Sequence, residues 1–458
     1  MKNIINFKNL AVNSFRKKAL KIAEAGYEGI NIEKIVSERI KIKDNLLKIG
    51  HTAFFDEKKN EIETNLDDFE RIYIVGIGKG SALAITASAK ILGKKLTGGI
   101  ALDVNKLKSL KAYKLKTFVG THPLPSKQNI KATQEIIKLV KSLTGKDLLI
   151  AFICGGGSAL ACASKEELKN SILAIKELTR AGANINELNT VRKHLSEFKG
   201  GGLAKMACPA TVISLIVSDV CGNDLSNVAS GPTVYDKTAK KDAEKILKKY
   251  GFNPDKFKLY ETPKAKPRSE RSSTTGYENY FKNVKNILFA CNQDAVMAMV
   301  SKAEELGFKP KIYSLALEGE ASAALLSMTA KVKMGEALIA AGETTVTLKK
   351  HEIKAERGGR NMEAVLGALV KCQMSGFRCQ NLAIMSFASD GFDNTEAAGA
   401  IGDFLTLEKA KKLKLKPKEF LENHDSFNFF KKTGDLIFAE KKCFNVADLM
   451  LVLSSLNE

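Results

Sequence analysis

The chain has 458 residues, which is too long for one ordinary hydrophobic core, and we expect it to form two domains. Its apolar content of 44% and charged content of 27% are typical of a globular protein, and the lack of any run of about 18 apolar residues argues against a membrane-spanning helix. The net charge of +21 comes from lysines spread along the whole chain, which favours solvated helix faces over a nucleic-acid partner.

Targeting and redox signals are few. Residues 1–26 interleave apolar and basic side chains at helical spacing and lack the compact apolar segment of a signal peptide, so we expect a cytoplasmic protein with no membrane partner. The cysteines form no CxxC pair, which favours reduced thiols and argues against a structural zinc site.

The first half of the chain alternates short apolar segments with amphipathic ones. The predicted elements are strands at residues 71–78, 97–104, 116–123, 147–154 and 210–220, and helices at 81–93 and 128–143. Apolar strands separated by helices indicate a parallel sheet covered on both faces. We therefore predict a Rossmann-like, doubly wound α/β domain, whose ligands bind beyond the carboxyl ends of the strands.

The composition changes after residue 236. A helix there is followed by a segment rich in proline, serine and charge, which is typical of an exposed connection. Further strands are predicted at residues 286–292, 311–317, 336–348 and 381–391. We predict one domain over residues 1–240, a connection over 241–280 and a smaller α/β domain over 281–458, whose last segment is free to pack back on the first domain.

The sequence VGIGKGSA links the first predicted strand to its helix. Gly76 and Gly78 begin like a dinucleotide fingerprint, and Asp103 ends the next strand where a ribose-binding acid would lie. However, Ser81 occupies the position of the third glycine. Lys79 stands just before the helix, where its charge opposes the helix dipole. We therefore predict that Lys79 binds an anion.

Three consecutive glycines, Gly155 to Gly157, follow a strand and precede Ser158. Their unblocked N–H groups can form a concave anion site at the start of a helix, whereas a close contact between helix and strand needs only one or two glycines. Leu160 stands where a nucleophile elbow requires glycine, so we predict that Ser158 donates a hydrogen bond rather than attacking a substrate.

A basic cluster and two carboxylates complete the candidates of the first domain. Arg192 and Lys199 lie beside a second glycine run and suit a phosphate or a carboxylate, although a basic helix closed by glycine explains them equally well. Asp219 ends an apolar strand, where it could hold Mg²⁺ or accept a proton from a hydroxyl. Asp224 is better suited to capping the next helix.

The second domain repeats this pattern. Glu343 and Asp390 lie at strand ends, and Arg360 opens a helix after a glycine turn, where its charge also opposes the helix dipole. Cations at helix starts, glycine loops and strand-end carboxylates are the groups that phosphoryl transfer requires. The residues alone therefore favour a nucleotide-dependent kinase.

Several motifs, in one order, connect the chain with a known family. From about Phe69 to about Asp403 the chain resembles glycerate 2-kinases that carry a MOFRL C-terminal domain. The motifs are GIGKGS, GTHPLP, CGGGSAL, NTVRKHLSEFKGG, SDVCGNDLSNVASGPT, GETTV and RGGRNMEA.

The resemblance implies two domains with the active site in the cleft between them, and transfer of the γ-phosphoryl group of ATP to the 2-hydroxyl of D-glycerate with Mg²⁺. It further implies that Lys79 and Arg360 stabilise charge on the phosphoryl group and that Asp219 holds the metal or acts as base. The remaining residues would bind nucleotide or glycerate: Gly76, Gly78, Gly155, Gly156, Gly157, Ser158, Arg192, Lys199, Glu343 and Asp390. The oligomeric state stays open, with a homo-oligomer among the alternatives.

The sequence also departs from the family pattern. Cys154, Ser126 and Met362 replace a serine, an aspartate and a glutamine, and the segment from Phe438 to Phe444 is bulky and charged where relatives have a turn rich in glycine and threonine. Two alternatives therefore stand beside the kinase. One is an NAD(P)-dependent hydroxypyruvate or 2-hydroxy-acid reductase, based on the first glycine motif and Asp103, and the other is a catalytically degenerate relative that binds a metabolite.

Overall fold

The computed structural model describes residues 3–51, 61–105, 107, 113–264, 280–348, 357–375 and 381–456. The chain divides into two compact units. The parallel-sheet unit comprises residues 35–290, and the mixed-sheet unit comprises residues 1–34 together with 291–458. Each unit contains its own six-stranded sheet.

Helices and strands alternate through most of the described chain. The helices are α1 (Phe7–Leu10), α2 (Ser14–Gly29), α3 (Ile32–Arg39), α4 (Ser81–Leu92), α5 (Lys127–Lys141), α6 (Gly157–Leu160), α7 (Lys165–Arg180), α8 (Ile185–His194), α9 (Gly202–Ala207), α10 (Lys240–Lys249), α11 (Asn292–Glu305), α12 (Ala321–Ala324), α13 (Leu326–Lys331), α14 (Arg360–Ser375), α15 (Phe404–Lys412), α16 (Pro417–Glu422) and α17 (Ser426–Thr433). The strands are β1 (Ile40–Lys43), β2 (Leu46–Ile49), β3 (Ile62–Asn65), β4 (Arg71–Ile77), β5 (Leu96–Asp103), β6 (Leu115–Val119), β7 (Asp147–Ile153), β8 (Thr211–Val217), β9 (Val284–Ala290), β10 (Lys309–Leu317), β11 (Glu336–Gly342), β12 (Leu382–Ala388), β13 (Gly399–Asp403), β14 (Leu436–Ile437) and β15 (Asp448–Ser454).

The sheet of the parallel-sheet unit has the strand order β6-β5-β4-β7-β8-β9, and all neighbouring pairs are parallel. This arrangement confirms the predicted doubly wound sheet. The order reverses between β4 and β7, and a ligand crevice forms at the carboxyl ends of the strands where such a reversal occurs. The register aligns Ile77 of β4 with Ile153 of β7, so both strands end at the same level.

The predicted strands owe their positions to burial on both faces. Strand β7 is buried along its whole length, and side chains of β4, β5, β7 and β8 form one apolar core with α5 and α9. Helix α4 is rich in alanine and ends at Gly93, whose positive φ of 53° suits a residue without a Cβ. Short apolar strands and a glycine-closed helix are patterns that a sequence displays directly.

The mixed-sheet unit has the strand order β10-β11-β15-β12-β13-β14. Only β10 and β11 are parallel among its strand pairs, and the others are antiparallel. The last strand, β15, lies between β11 and β12, and its first residue, Asp448, pairs with Gly342 and with Ala388. The chain terminus therefore supplies a central strand, which brings Asp448 to the ends of two neighbouring strands.

The division of the chain differs from the predicted boundaries in three places. Strand β9, predicted to belong to the second domain, pairs with β8 as the edge strand of the parallel sheet. Helix α10 packs against α8, so the segment 240–249 is part of the parallel-sheet unit and not a connection. Residues 1–34 belong to the mixed-sheet unit. These differences arise because strand pairing and helix packing depend on contacts between segments that are distant in sequence.

The cysteines of the described residues are mostly free thiols: Cys154, Cys162, Cys208, Cys221, Cys291 and Cys443. Cys372 on α14 is disulfide-bonded, which corrects the prediction of reduced cysteines at this position. The spacing of cysteines alone does not reveal a pairing that depends on the fold.

Among the described helices, none is both long and apolar enough to cross a membrane.

Candidate active site

The loops after β4 and β7 are joined by hydrogen bonds at the point where the strand order reverses. The Lys79 N–H donates to the carbonyl oxygen of Gly155 (2.9 Å), and the Cys154 N–H donates to that of Ile77 (2.8 Å). Gly78, with φ of +112°, permits this approach, because a Cβ there would lie 2.3 Å from the Cys154 carbonyl oxygen. The predicted anion-binding residues Lys79 and Gly155 are therefore neighbours.

Gly156 lies at the centre of this group. Its φ is +76°, and a Cβ added there would lie 3.2 Å from the His122 ring and 3.4 Å from Cγ of Lys79. Among the described residues, no acceptor receives the N–H groups of Gly155 and Gly156. Consecutive unpaired N–H groups beside a lysine are the arrangement that an anion-binding loop requires. The predicted role of the glycine run thus has geometric support at these two positions.

Gly157 has a different explanation. A Cβ on this residue would lie 2.6 Å from the Cβ of Ala229, so packing alone requires glycine there. The next residue, Ser158, is half-buried, and its Oγ lies 2.9 Å from Oγ of Ser230. The loop after β7 therefore contacts the segment that follows β8, and the predicted donation from Ser158 to a ligand stays a prediction.

His122 lies beside the glycine loop, although the sequence analysis did not select it. It is exposed in the loop after β6, and the buried Asn129 side chain holds that loop in place. The Asn129 Nδ2 donates to the carbonyl oxygens of Thr121 (3.0 Å) and Leu160 (3.2 Å), while its Oδ1 accepts from the Thr121 N–H (2.9 Å). The motif GTHPLP contained the signal, but the approach of His122 to Gly156 depends on the fold.

A row of polar side chains connects α8 with the segment after β8. Nη1 of Arg192 donates to Oδ1 of Asn189 (3.2 Å), and Nδ2 of Asn189 donates to Oδ1 of Asn227 (3.3 Å). The Ser230 N–H in turn donates to the carbonyl oxygen of Asn227 (3.1 Å). Because Ser230 also contacts Ser158, the predicted residues Arg192 and Ser158 belong to one hydrogen-bonded group.

The prediction that Lys199 binds a ligand is wrong. Its Nζ forms an ion pair with Oε1 of Glu167 at 2.6 Å, and both side chains are only 3% exposed. The second oxygen of Glu167 accepts the Ala163 N–H at 2.7 Å. The glycines that follow Lys199 open α9 and donate from Gly200 and Gly201 to backbone oxygens after β8. Lys199 therefore stabilises the unit internally and is not placed to bind a ligand.

The features that resembled a dinucleotide site are also explained by packing. The buried Asp103 carboxylate accepts the N–H groups of Ala82 (3.0 Å) and Asn105 (3.1 Å), so it caps the start of α4. Burial raises the pKa of Asp103, and these backbone hydrogen bonds oppose the rise. A Cβ on Gly76 would lie 2.9 Å from the Ser81 carbonyl oxygen. Asp103 is thus engaged by the protein rather than presented to a ribose.

Asp219 lies two residues beyond the end of β8, next to the strand that carries the glycine loop. It is half-buried. Burial raises the pKa of the Cys154 thiol, and the charges of Asp103 and Asp219 add to that rise, which places Asp219 electrostatically close to the glycine loop. Asp224 is exposed, and its carboxylate accepts the Ser226 N–H (2.9 Å) within a turn. The next helical turn follows Asn227 and has no side-chain cap, so the predicted capping role of Asp224 is wrong.

A metal site made of protein groups alone is not found in the described ranges, where no group of three or more His, Cys, Asp or Glu side chains could hold an ion. Mg²⁺ in phosphoryl-transfer enzymes is usually held by one or two carboxylates together with the phosphates of the substrate. A half-buried carboxylate beside an anion-binding loop, as at Asp219, is a donor that fits this mode.

In the mixed-sheet unit, Arg360 begins α14 and lies between two carboxylates. Its Nε and Nη2 donate to the two oxygens of Asp448 at 2.5 and 3.2 Å, and its Nη1 lies 2.6 Å from Oε1 of Glu343. Burial lowers the pKa of Arg360, but Asp448 and Glu343 more than offset this effect, so the pKa is raised. The predicted residues Arg360 and Glu343 are therefore in contact.

Asp448 and Asp393 are further residues that the sequence analysis did not select. The Asp393 Oδ2 accepts the N–H groups of Asn361 (3.0 Å) and Met362 (3.2 Å), so this carboxylate caps α14. Burial raises the pKa of Asp393 to about 7, and the charge of Asp448 adds to the rise. Protein carboxylates thus balance Arg360, so its position at a helix start is not by itself evidence for a bound anion.

Asp390 lies at the end of β12, as predicted, and its Oδ1 accepts the Phe392 N–H (3.1 Å). The segment from Phe438 to Phe444, which departs from the family pattern, is followed by Asp448. The change in this segment therefore leaves in place the carboxylate that binds Arg360.

Comparison with known proteins agrees with this architecture. The model of a domain of unknown function, DUF4147, matches residues 18–259, and the MOFRL family matches residues 336–448. A D-glycerate 2-kinase of Thermotoga maritima is 32% identical over 90% of this chain and 98% of its own. A protein of Agrobacterium vitis with the provisional name hydroxypyruvate reductase is 33% identical over 84% of this chain and 87% of its own.

A crystal structure of glycerate kinase from Thermotoga maritima matches the fold with a TM-score of 0.75 at 29% identity, covering 96% of this chain and 99% of that one. The similarity extends over both units. The chain therefore belongs to the glycerate kinase family, in which a DUF4147 domain is joined to a MOFRL domain.

Proposed function

We propose that this protein is a glycerate 2-kinase that transfers the γ-phosphoryl group of ATP to the 2-hydroxyl of D-glycerate. The observation that carries the proposal is the group at the reversal of strand order, where Lys79 and the unpaired N–H groups of Gly155 and Gly156 lie together. The named function of relatives over nearly the whole chain supports the same reaction.

The chemistry of this group suits phosphoryl transfer. Negative charge is spread over the phosphoryl oxygens in the transition state, and catalysis depends mainly on fixed donors and cations aimed at that charge. Lys79 supplies a cation, and Gly155 and Gly156 supply backbone donors that a side chain at residue 156 would crowd. We assign these residues to the phosphoryl group.

Asp219 is the carboxylate that we assign to the acceptor or the metal. As a base it would accept the proton of the attacking hydroxyl. As a ligand it would hold Mg²⁺ bound to the phosphates of ATP, and this ion would neutralise part of their charge. In the mixed-sheet unit, Arg360 offers a guanidinium whose orientation is fixed by Asp448.

A reductase is the second candidate, because the relative from Agrobacterium vitis bears that name and the strand order is that of dinucleotide-binding proteins. The capping role of Asp103 weighs against it, since both carboxylate oxygens accept backbone N–H groups. Oxidation of NADH or NADPH by hydroxypyruvate, in the absence of ATP, would favour the reductase.

The proposal is tested by Lys79→Met in an assay with ATP, Mg²⁺ and D-glycerate. We expect kcat to fall by roughly 100- to 1,000-fold, because one donor to the developing charge is removed. Lys94→Met is the matched control, since Lys94 is exposed at the opposite end of α4, and its kcat should stay within about twofold. Full activity of Lys79→Met would contradict the assignment.

A further inference from the structure

Arg192 on α8 is a half-buried cation that forms no ion pair with a carboxylate of the described residues. Its Nη1 donates to Asn189, and Nε is buried with no acceptor in the described structure. No described carboxylate forms an ion pair with Arg192, and Nη2 likewise has no described acceptor. Burial lowers its pKa, as expected of a cation removed from water without compensation.

The fully buried cations of the described residues each pair with a carboxylate, unlike Arg192. Lys193, the next residue on α8, pairs with Asp236, and Lys199 pairs with Glu167. Arg16 in the mixed-sheet unit contacts two aspartates. A buried charge is costly unless it is paired. Arg192 therefore differs from these cations in pairing with no carboxylate of the described residues, which suits a site for an anionic ligand.

The backbone next to Arg192 supplies a second, independent observation. Ala229 and Ser230 have φ of 49° and 60°, in the left-handed region that side chains other than those of Asn, Asp and Gly rarely adopt. Adjacent residues in this conformation persist where surrounding structure enforces them, which is common at ligand sites. In this segment, Oγ of Ser230 contacts Oγ of Ser158, and Oδ1 of the nearby Asn227 accepts from Nδ2 of Asn189.

We propose that Arg192 binds the carboxylate group of the acceptor substrate, assisted by the amide of Asn189 and the hydroxyls of Ser158 and Ser230. This inference rests on the proposed function and specifies how that site recognises its acceptor. The Asp224 carboxylate binds Asn227 at the far end of the row (Nδ2 to Oδ2, 3.0 Å), so the guanidinium is the single cation of the group. One cation beside neutral donors matches a ligand group with one negative charge. The alternative anion is a phosphate of the nucleotide. The two ligands are distinguished by which substrate's KM changes when Arg192 is replaced.

The test compares Arg192→Gln and Arg192→Lys with wild type in steady-state assays that vary each substrate separately. We expect Arg192→Gln to raise KM for D-glycerate by roughly 10- to 100-fold and to leave KM for ATP within about twofold, because charge-assisted hydrogen bonds to one substrate are lost. Arg192→Lys should show a smaller rise, since lysine keeps the charge but not the planar fork.

Arg180→Gln is the matched control, because Arg180 is an exposed arginine paired with Glu177 on α7, and both KM values should remain unchanged. A rise in KM for ATP, or unchanged KM values in both Arg192 variants, would overturn the proposal. If Arg192→Gln fails to fold, Arg192→Lys carries the same comparison.

A binding measurement separates this proposal from the proposed function. D-glycerate alone should raise the melting temperature of wild type, and this rise should be reduced in Arg192→Lys and lost in Arg192→Gln, whereas the rise caused by ADP should persist. If wild type does not phosphorylate D-glycerate, the proposed function fails, yet the response to D-glycerate still tests Arg192. An equal response in wild type and variants would refute the carboxylate site.

Discussion

Arg360 and Asp448 are 88 positions apart in the sequence, yet they form a short two-bond ion pair at the start of α14. The sequence predicted the place of Arg360 at a helix start, as it predicted the place of Lys79, because glycine turns and helix periodicity are local signals. The sequence could not supply the partners. Asp448 and His122 gain their positions only when strands distant in the sequence pair or align.

Asp448→Asn tests whether this ion pair positions Arg360 for activity. Asparagine still accepts a hydrogen bond but lacks the charge that holds the guanidinium, so we expect kcat to fall by about 10-fold. Glu422→Gln is the control. The Glu422 side chain on α16 is 62% exposed and pairs with Lys418, and an exposed pair contributes little, so this variant should retain activity within about twofold. Wild-type kcat in Asp448→Asn would show that the pair is dispensable.

Asp393 should make stability depend on pH. Its pKa rises from the usual 3.8 to about 7 in the folded protein, so the folded state disfavours the ionised carboxylate. The stability that this group contributes is fully present below about pH 4 and is lost as the pH rises through about 7. Asp393→Asn keeps an acceptor for the N–H groups of Asn361 and Met362 but cannot ionise.

We therefore expect the melting temperature of wild type to decline relative to Asp393→Asn between about pH 4 and pH 8. Thermal unfolding followed by circular dichroism across that range measures the difference. A difference that stays constant with pH would show that Asp393 does not change its protonation on unfolding.

At the scale of elements, the parallel sheet was predictable and its edge was not. Strands β4, β5, β7 and β8 are largely apolar segments with a glycine or an aspartate at their last residue or within two residues after it, so their role and the site at their carboxyl ends can be inferred from local sequence. Strand β9 resembles them equally, but its sheet is decided by pairing with β8 after an insertion of more than 60 residues. The antiparallel strands β13 to β15 depend on similar long-range pairing.

The glycine loop after β7 offers a comparison at the scale of one turn. Gly156 and Gly182 have similar positive φ values of +76° and +81°, but only Gly156 has neighbours that a Cβ would crowd, whereas Gly182 faces open space. An alanine should cost about 1 to 2 kcal/mol of stability at either position, because the left-handed conformation is strained for residues with a Cβ.

Gly156→Ala should also lower kcat/KM by at least about 10-fold, because the added methyl group displaces Lys79 or His122 from the anion-binding loop. Gly182→Ala should keep wild-type kcat/KM. Urea unfolding and steady-state kinetics on both variants provide the measurement. Equal activities of the two variants would argue that the loop does not hold a substrate.

At the scale of the whole molecule, the N-terminal segment belongs with the C-terminal half of the chain. Buried Arg16 on α2 contacts Asp403 through two hydrogen bonds of 2.6 Å and Asp435 through one of 2.7 Å. The sequence shows a basic amphipathic helix at this position and nothing of its partners. Because linear order suggests that the first residues join the first domain, only the folded structure reveals this assignment.

Arg16→Met should destabilise the mixed-sheet unit strongly. Loss of the guanidinium leaves the buried Asp403 carboxylate without its counter-charge and leaves Asp435 paired with Lys409 alone. Breaking a buried ion pair by removing one partner typically costs about 3 to 5 kcal/mol. Lys17→Met, one residue along α2 and exposed, should change the free energy of unfolding by less than about 0.5 kcal/mol. Urea unfolding of both variants tests this expectation. Equal stabilities would mean that the Arg16 contacts contribute little.

The central claim is the transfer of a phosphoryl group to the 2-hydroxyl of D-glycerate. The most direct test incubates the purified protein with ATP, Mg²⁺ and D-glycerate and follows the products by ³¹P NMR. The account predicts a signal of 2-phosphoglycerate together with ADP. A signal of 3-phosphoglycerate would contradict the position of transfer, and the absence of any phosphorylated product would contradict the kinase.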